Sequence, residues 1–283
     1  MILRWISYLP LSVLYGVATL LYFVTFYVVR YRFRVVKTNL QNAFPGRSDS
    51  EINKIMKEFY RNFSDFIIEA LKSLTISAKQ LNSRVIIKDP EVIEKYFNNG
   101  QSVLVLTSHQ FNWEWLLLAS SIKLSAPLSP VYKQLNNKYF NNLMLKARSR
   151  FGSKPIEMQQ TLVEIVNRKD KVNAFGLVAD QTPMVDADKY WSSFLNQDTA
   201  FYVGTERIAY LTRYPVLFVG MKKIKRGHYQ IKFEELAEPP YSKNDHFILD
   251  RYIAKTEELI QASPAEWLWS HRRWKYQKPF YTD

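Results

Sequence analysis

Val103-Leu104-Val105-Leu106-Thr107-Ser108-His109-Gln110-Phe111-Asn112-Trp113-Glu114-Trp115 is the stretch that decides the fold. The apolar run Val103 to Leu106 reads as a buried strand of the kind found in parallel sheets covered on both faces. A polar turn follows, and Asn112 to Leu124 reads as a helix. A strand passing straight into a helix is the repeating unit of an α/β sandwich. Polar residues at such strand ends often face a ligand crevice. His109 falls in the turn, and Glu114 falls about one turn into the helix.

The alternation continues on either side. Ser48 to Leu74 reads as a long helix: Ser48 and Glu51 form a capping box, and Ile52, Ile55, Phe59, Phe63, Phe66 and Ile67 recur at helical spacing. Ser129 to Tyr132, Ala174 to Ala179, Val216 to Met221 and Tyr229 to Phe233 read as strands. Asn136 to Arg150 and Phe247 to Gln261 read as helices. Ser263-Pro264-Ala265-Glu266 has the cap, first-turn proline and capping glutamate of a further helix. The expected fold class is α/β, a central mixed sheet flanked by helices, with an N-terminal membrane-anchor helix.

That anchor is legible in the first 34 residues, with residues 35–283 as the body. No charged residue occurs between Arg4 and Arg30, and Trp5 to Val29 is mostly Leu, Val, Tyr and Phe. About 20 such residues span a bilayer. A signal peptide would have a shorter apolar region and a small-residue cleavage site; here the run ends in Val28-Val29-Arg30-Tyr31-Arg32-Phe33-Arg34. Arg30, Arg32, Arg34 and Lys37 outnumber Arg4, so the positive-inside rule puts the expected body in the cytoplasm. Trp5 and Tyr8 suit headgroup depth. Tyr15, Tyr22 and Thr25 soften the run, so a helix lying on the membrane surface is the alternative geometry.

The chain has 283 residues and a formal net charge of +13. So basic a balance points to a polyanionic partner. No recognisable nucleic-acid-binding module accompanies it, so an anionic lipid surface is the expected partner and nucleic acid is not. The absence of cysteine removes disulfides, thiol nucleophiles and Cys-based metal sites. Its histidines, His109, His228, His246 and His271, form no close pair of the H-E-x-x-H kind. Neither a metal nor a cofactor is expected.

His109 and Glu114 are the expected chemical pair. A neutral imidazole takes the proton of a hydroxyl as that hydroxyl attacks an acyl carbonyl. A carboxylate on the other ring nitrogen fixes the tautomer and stabilises the imidazolium that forms. Five residues apart on a regular helix, the two would face different ways; contact between them requires His109 to lie in the turn. Near the helix start, Glu114 stays ionised. At the other end of the chain, Trp267, Trp269, Arg272, Arg273 and Trp274 are expected in one short helix. Its arginines would touch membrane or phosphate, while Trp267 tends to the core.

Ser108-His109-Gln110-Phe111-Asn112-Trp113-Glu114 resembles the His-x4-acid motif of the late acyltransferases of lipid A biosynthesis, the lauroyl/myristoyl transferase family. Other segments are similar to that family in the same order. These are Asn39-Leu40-Gln41-Asn42-Ala43-Phe44-Pro45, then Val131-Tyr132-Lys133 with Asn136, then Arg148 with Phe151-Gly152. Ala179-Asp180-Gln181 and Trp267-Leu268-Trp269-Ser270-His271-Arg272-Arg273 complete the series. The resemblance implies an O-acyltransferase that moves a fatty acyl chain from acyl carrier protein, or acyl-CoA, to a hydroxyl of a lipid A precursor. By it, His109 is the general base and Glu114 its partner. Lys133 or Arg148 stabilises the oxyanion or binds substrate phosphate. Asn112 and Asp180 position substrate, and Arg272 and Arg273 contact membrane or phosphate.

The sequence departs from the family in two places. Lys133 stands where the family often has arginine, which keeps the charge and loses the planar fork. The aromatic-glycine segment is altered around Trp191-Ser192-Ser193-Phe194-Leu195. These departures leave open a different bacterial acceptor lipid, whether phospholipid, aminolipid or glycolipid. Glycerol-phosphate acyltransferases share the His-x4-acid spacing, but their Phe-Pro-Glu-Gly segment does not occur here. A non-catalytic membrane protein that binds anionic lipid is the reading from another class.

Overall fold

The computed structural model describes residues 2–110, 112–243, 245–276 and 278, so Phe111 of the His109 turn lies outside the described residues. Its strands are β1 (Val85–Lys88), β2 (Val103–Thr107), β3 (Leu128–Tyr132), β4 (Ile156–Glu157), β5 (Ala174–Val178), β6 (Lys189–Phe194), β7 (Gln197–Tyr202), β8 (Val216–Lys225) and β9 (His228–Ala237). Seven of them form a central sheet in the order β1-β9-β8-β2-β5-β3-β4, while β6 and β7 form a separate hairpin. All neighbours in the large sheet are parallel except β8 and β9. The expected mixed α/β architecture is therefore the one observed.

β2 sits mid-sheet and is buried throughout. Its residues divide between two cores by the strand period of two. Leu104 and Leu106 join one cluster with Phe175, Phe218 and residues of the Phe33–Ala43, Asp49–Lys72 and Phe247–Ala262 helices. Val103 and Val105 join the other, with the Glu91–Asn98 and Trp113–Lys123 helices. Register then places the functional residues. Thr107 of β2 is opposite Val178 of β5, so His109 and Asp180, each two residues further on, leave the sheet side by side.

Several short elements carry too little periodicity to stand out in the sequence: β1, β4, the β6–β7 hairpin and the helices Ala78–Asn82, Thr161–Asn167 and Gly204–Thr212. The hairpin is the segment whose sequence departs from the family around Trp191. Leu195 and Asn196 turn its corner with φ of 51° and 60°, the geometry that suits the right-handed twist of a two-residue hairpin loop. The expected helix from Ser263 is a single 3-10 turn, Pro264–Glu266. It stops because Trp267 leaves to pair its backbone with Gln110.

The apolar N-terminal segment forms the Leu11–Phe23 helix, continued by a π-helical turn over Val24–Val28. Leu11–Val28 is long and apolar enough to cross a membrane. It does not project away from the body. Leu14, Ala18, Tyr22 and Phe26 are buried along one side, against the Asp49–Lys72 helix. Lys72 Nζ donates to the carbonyls of Ser7 and Leu9 at 2.9 Å each. Gly227, at the β8–β9 turn with φ +70°, comes so close to the Tyr15 hydroxyl that any Cβ there would collide with it. Val13, Val17, Leu20, Phe23, Tyr27 and Val28 remain exposed, so the helix has one docked side and one bare apolar side.

Candidate active site

His109 lies just past β2 with its side chain 17% exposed. Its Nδ1 is 2.6 Å from Asp180 Oδ1, and its backbone N–H donates to Asp180 Oδ2 at 2.9 Å. The indole Nε1–H of Trp267 donates to that same Oδ2 at 2.7 Å. Burial alone raises the Asp180 carboxyl, but the charge and hydrogen bonds of His109, with the Trp267 bond, outweigh it and hold the pKa below the ordinary carboxylate value. An ionised carboxylate on Nδ1 leaves Nε2 as the basic nitrogen. Nε2 stands 3.3 Å from the side-chain amide nitrogen of Gln181, and the ring meets Trp113 edge-on at 4.9 Å.

Glu114 does not touch this ring, which corrects the sequence expectation. It is 3% exposed, and both its oxygens accept from Arg148, Oε2 from Nε at 2.9 Å and Oε1 from Nη2 at 2.6 Å. The reason is geometric. Glu114 sits in the first turn of the Trp113–Lys123 helix, facing the Lys138–Arg148 helix, whereas the register of β2 and β5 delivers Asp180 to His109. Arg148 is therefore held in a bidentate pair through Nε and Nη2, with 22% of its side chain exposed. Lys133 is exposed one residue beyond β3, at the same sheet edge as His109 and Asp180.

Two further expectations change. Asn112 is fully buried: its Oδ1 caps the Trp113–Lys123 helix by accepting from Trp115 N at 2.9 Å, and its Nδ2 donates to Glu69 Oε2 at 2.8 Å. Its side chain is thus engaged in shaping the turn. Arg273 is 1% exposed, donates from Nη2 to Ala200 O at 2.6 Å, and stands over the Phe201 ring. Burial pulls its pKa down to about 10. It braces the β6–β7 hairpin instead of meeting membrane, while Arg272 is exposed. The same hairpin supports the site: Phe194 packs on Trp267 at 5.9 Å, and Trp267 holds Asp180.

Glu69 is the group the sequence reading missed. It is fully buried and accepts from Tyr15, Tyr229 and Asn112, at 2.6, 2.6 and 2.8 Å. Burial nevertheless raises its pKa. The available signal was a carboxylate beside Ile68 on the face that the apolar positions Ile52, Ile55, Met56 and Phe59 mark as buried. Through it the docked N-terminal helix, β9 and the cap of the His109 turn share one carboxylate.

Beside His109 runs a narrow cleft of about 30 Å³, lined mainly by Phe59, Phe63, Phe66, Trp113 and Leu268, with Asn62, Lys223 and Glu266 also at its wall. Burial pushes the Glu266 carboxyl up to about 8, with Lys223 opposing and Glu58 adding to the rise. A raised folded-state pKa gives stability that is present below the ordinary value of 4.5 and lost as pH climbs toward about 8. Glu266→Gln is therefore expected to raise the melting temperature by several degrees at about pH 8 and to change it little at about pH 5. Equal shifts at both pH values in thermal melts would contradict this assignment.

A family model for bacterial lipid A biosynthesis acyltransferases matches residues 1–276. The chain belongs to that family. It is an acyltransferase, and its His109 turn, Asp180 and C-terminal tryptophans all fall inside the matched region. No curated protein matches the chain.

Proposed function

We propose that the enzyme transfers a fatty acyl chain from an acyl-carrier-protein thioester, with acyl-CoA as the alternative donor, to a hydroxyl of a lipid A precursor, using His109 as general base. The observation that carries this reading is the carboxylate-oriented imidazole at the end of β2, opening on an aromatic cleft. Nε2 takes the proton of the acceptor hydroxyl as its oxygen attacks the thioester carbonyl. Asp180 holds the tautomer and balances the imidazolium. When the tetrahedral intermediate collapses, the C–S bond breaks and the same proton leaves with the thiol. Glu114 assists at one remove, fixing Arg148 and the start of the Trp113–Lys123 helix. Lys133 is the exposed cation at this edge suited to the oxyanion or a substrate phosphate. The cleft holds about one water, so an acyl chain enters as Trp113 and Phe66 shift.

The exposed side of the N-terminal helix serves membrane association at the cytoplasmic face of the inner membrane, with Trp5 and Tyr8, both exposed, at headgroup depth. Side-on immersion preserves the contacts of Arg226 with the Tyr15 carbonyl and of Lys72 with the Ser7 and Leu9 carbonyls, which a free spanning helix would break. The test is lipid mass spectrometry of cells lacking the protein. Loss of one acyl chain from lipid A, restored by the wild-type gene, is the expected result. Loss from a phospholipid or aminolipid would reassign the acceptor, and an unchanged lipid profile would favour a non-catalytic lipid-binding role.

A further inference from the structure

We propose that the groove between the N-terminal helix and the Asp49–Lys72 helix is the subsite for a phosphate group of the acceptor lipid. This rests on the acyl-transfer reading and adds where the acceptor is held. The groove encloses about 520 Å³ and lies between Ala18, Thr19, Tyr22 and Phe23 on one side and the basic stripe Lys54, Lys57 and Arg61 on the other. The three cations are spaced three and four residues apart, so they share one helix face. Among the described residues none of them has a carboxylate partner; Arg61 stands over the Tyr22 ring at 5.0 Å. Lys223 and Arg226 add positive charge to the lining, and Glu58 and Asp65 are its acids, for a net formal charge of +3 (five cations less two anions).

Position selects the ligand. Phe23 is both a wall of the groove and part of the exposed apolar side of the N-terminal helix. The cations therefore border the membrane-facing surface, where lipid headgroups lie. Asn62 and Lys223 line both this groove and the cleft that contains His109. A phosphorylated saccharide anchored here extends inward toward the base. A concave space of this volume suits a headgroup, whereas the acidic surface of a carrier protein needs a broader face.

Lys54→Ala/Lys57→Ala and Arg61→Glu are the variants to test, with a bisphosphorylated acylated disaccharide in dodecylmaltoside micelles and the same lipid after phosphatase treatment. The expected result is an acceptor KM raised about tenfold for the phosphorylated lipid, with the donor KM at its wild-type value. For the phosphatase-treated lipid, wild type and variants should have the same acceptor KM. A raised donor KM with an unchanged acceptor KM would make the groove a carrier-protein dock and overturn the proposal, as would equal effects on both lipids. Micelle binding by the same variants in a His109→Ala background reads the site without turnover. Lost binding there supports the groove even if wild type transfers no acyl chain, and undiminished binding overturns it.

Discussion

His109→Ala is expected to abolish acyl transfer, and Asp180→Asn to lower it by about 10³–10⁴ while the protein stays folded and membrane-bound. The second effect discriminates more sharply. Asparagine preserves the size of the aspartate and a hydrogen-bond acceptor, so Trp267 and the His109 backbone N–H keep a partner. It removes the charge, and its amide can present a donor to Nδ1, which would place the ring proton on Nε2, where the base must be free. The loss should therefore fall mainly on kcat, with the acidic limb of the pH–rate profile, where the base becomes protonated, moved to lower pH. Far-UV circular dichroism and membrane fractionation check that the variants remain folded and localised. Wild-type turnover by the His109→Ala protein with an acyl-carrier-protein donor would remove the general-base assignment, and an unaltered pH profile in Asp180→Asn would remove Asp180 from it.

The sequence made His109 legible because local pattern was enough: an apolar strand, a polar turn and a periodic helix are all short-range signals. The same signals predicted β3, β5, β8, β9 and the long capped helix, whose Ser48–Glu51 box is formed. The partner of His109 was harder to read. Asp180 is 71 residues away, and only the parallel register of β2 with β5 brings it into contact. A nearby carboxylate, Glu114, offered a shorter route in sequence that the helix geometry does not provide. Arg273 was misjudged for a related reason. A basic residue among tryptophans suits a membrane interface equally well in sequence, and only the tertiary fold shows the guanidinium enclosed by Phe201 and Ala200. The N-terminal helix shows the limit of hydropathy. Its composition suits a membrane, but the docked side is specified by Leu14, Ala18 and Tyr22 packing on a partner helix, and no window average records a partner.

Glu114→Ala is expected to destabilise the fold by about 2–4 kcal/mol and to depress activity through that loss of order. Removing the carboxylate leaves the Arg148 guanidinium half-buried without its counter-charge, with 22% of its side chain exposed to water as partial relief. The Glu114→Gln/Arg148→Met double variant removes both charges and should recover much of the stability, because a buried ion pair costs desolvation that a neutral pair avoids. A double-mutant cycle in urea denaturation measures this coupling directly. The kinetic counterpart separates the two carboxylates near the turn. If Asp180 orients the base, Glu114→Gln lowers kcat without moving the acidic limb of the pH–rate profile, and the shift belongs to Asp180→Asn alone. A profile that moves in Glu114→Gln and stays fixed in Asp180→Asn would place Glu114 on the imidazole during catalysis. That outcome would require the Arg148 pair to open when substrate binds.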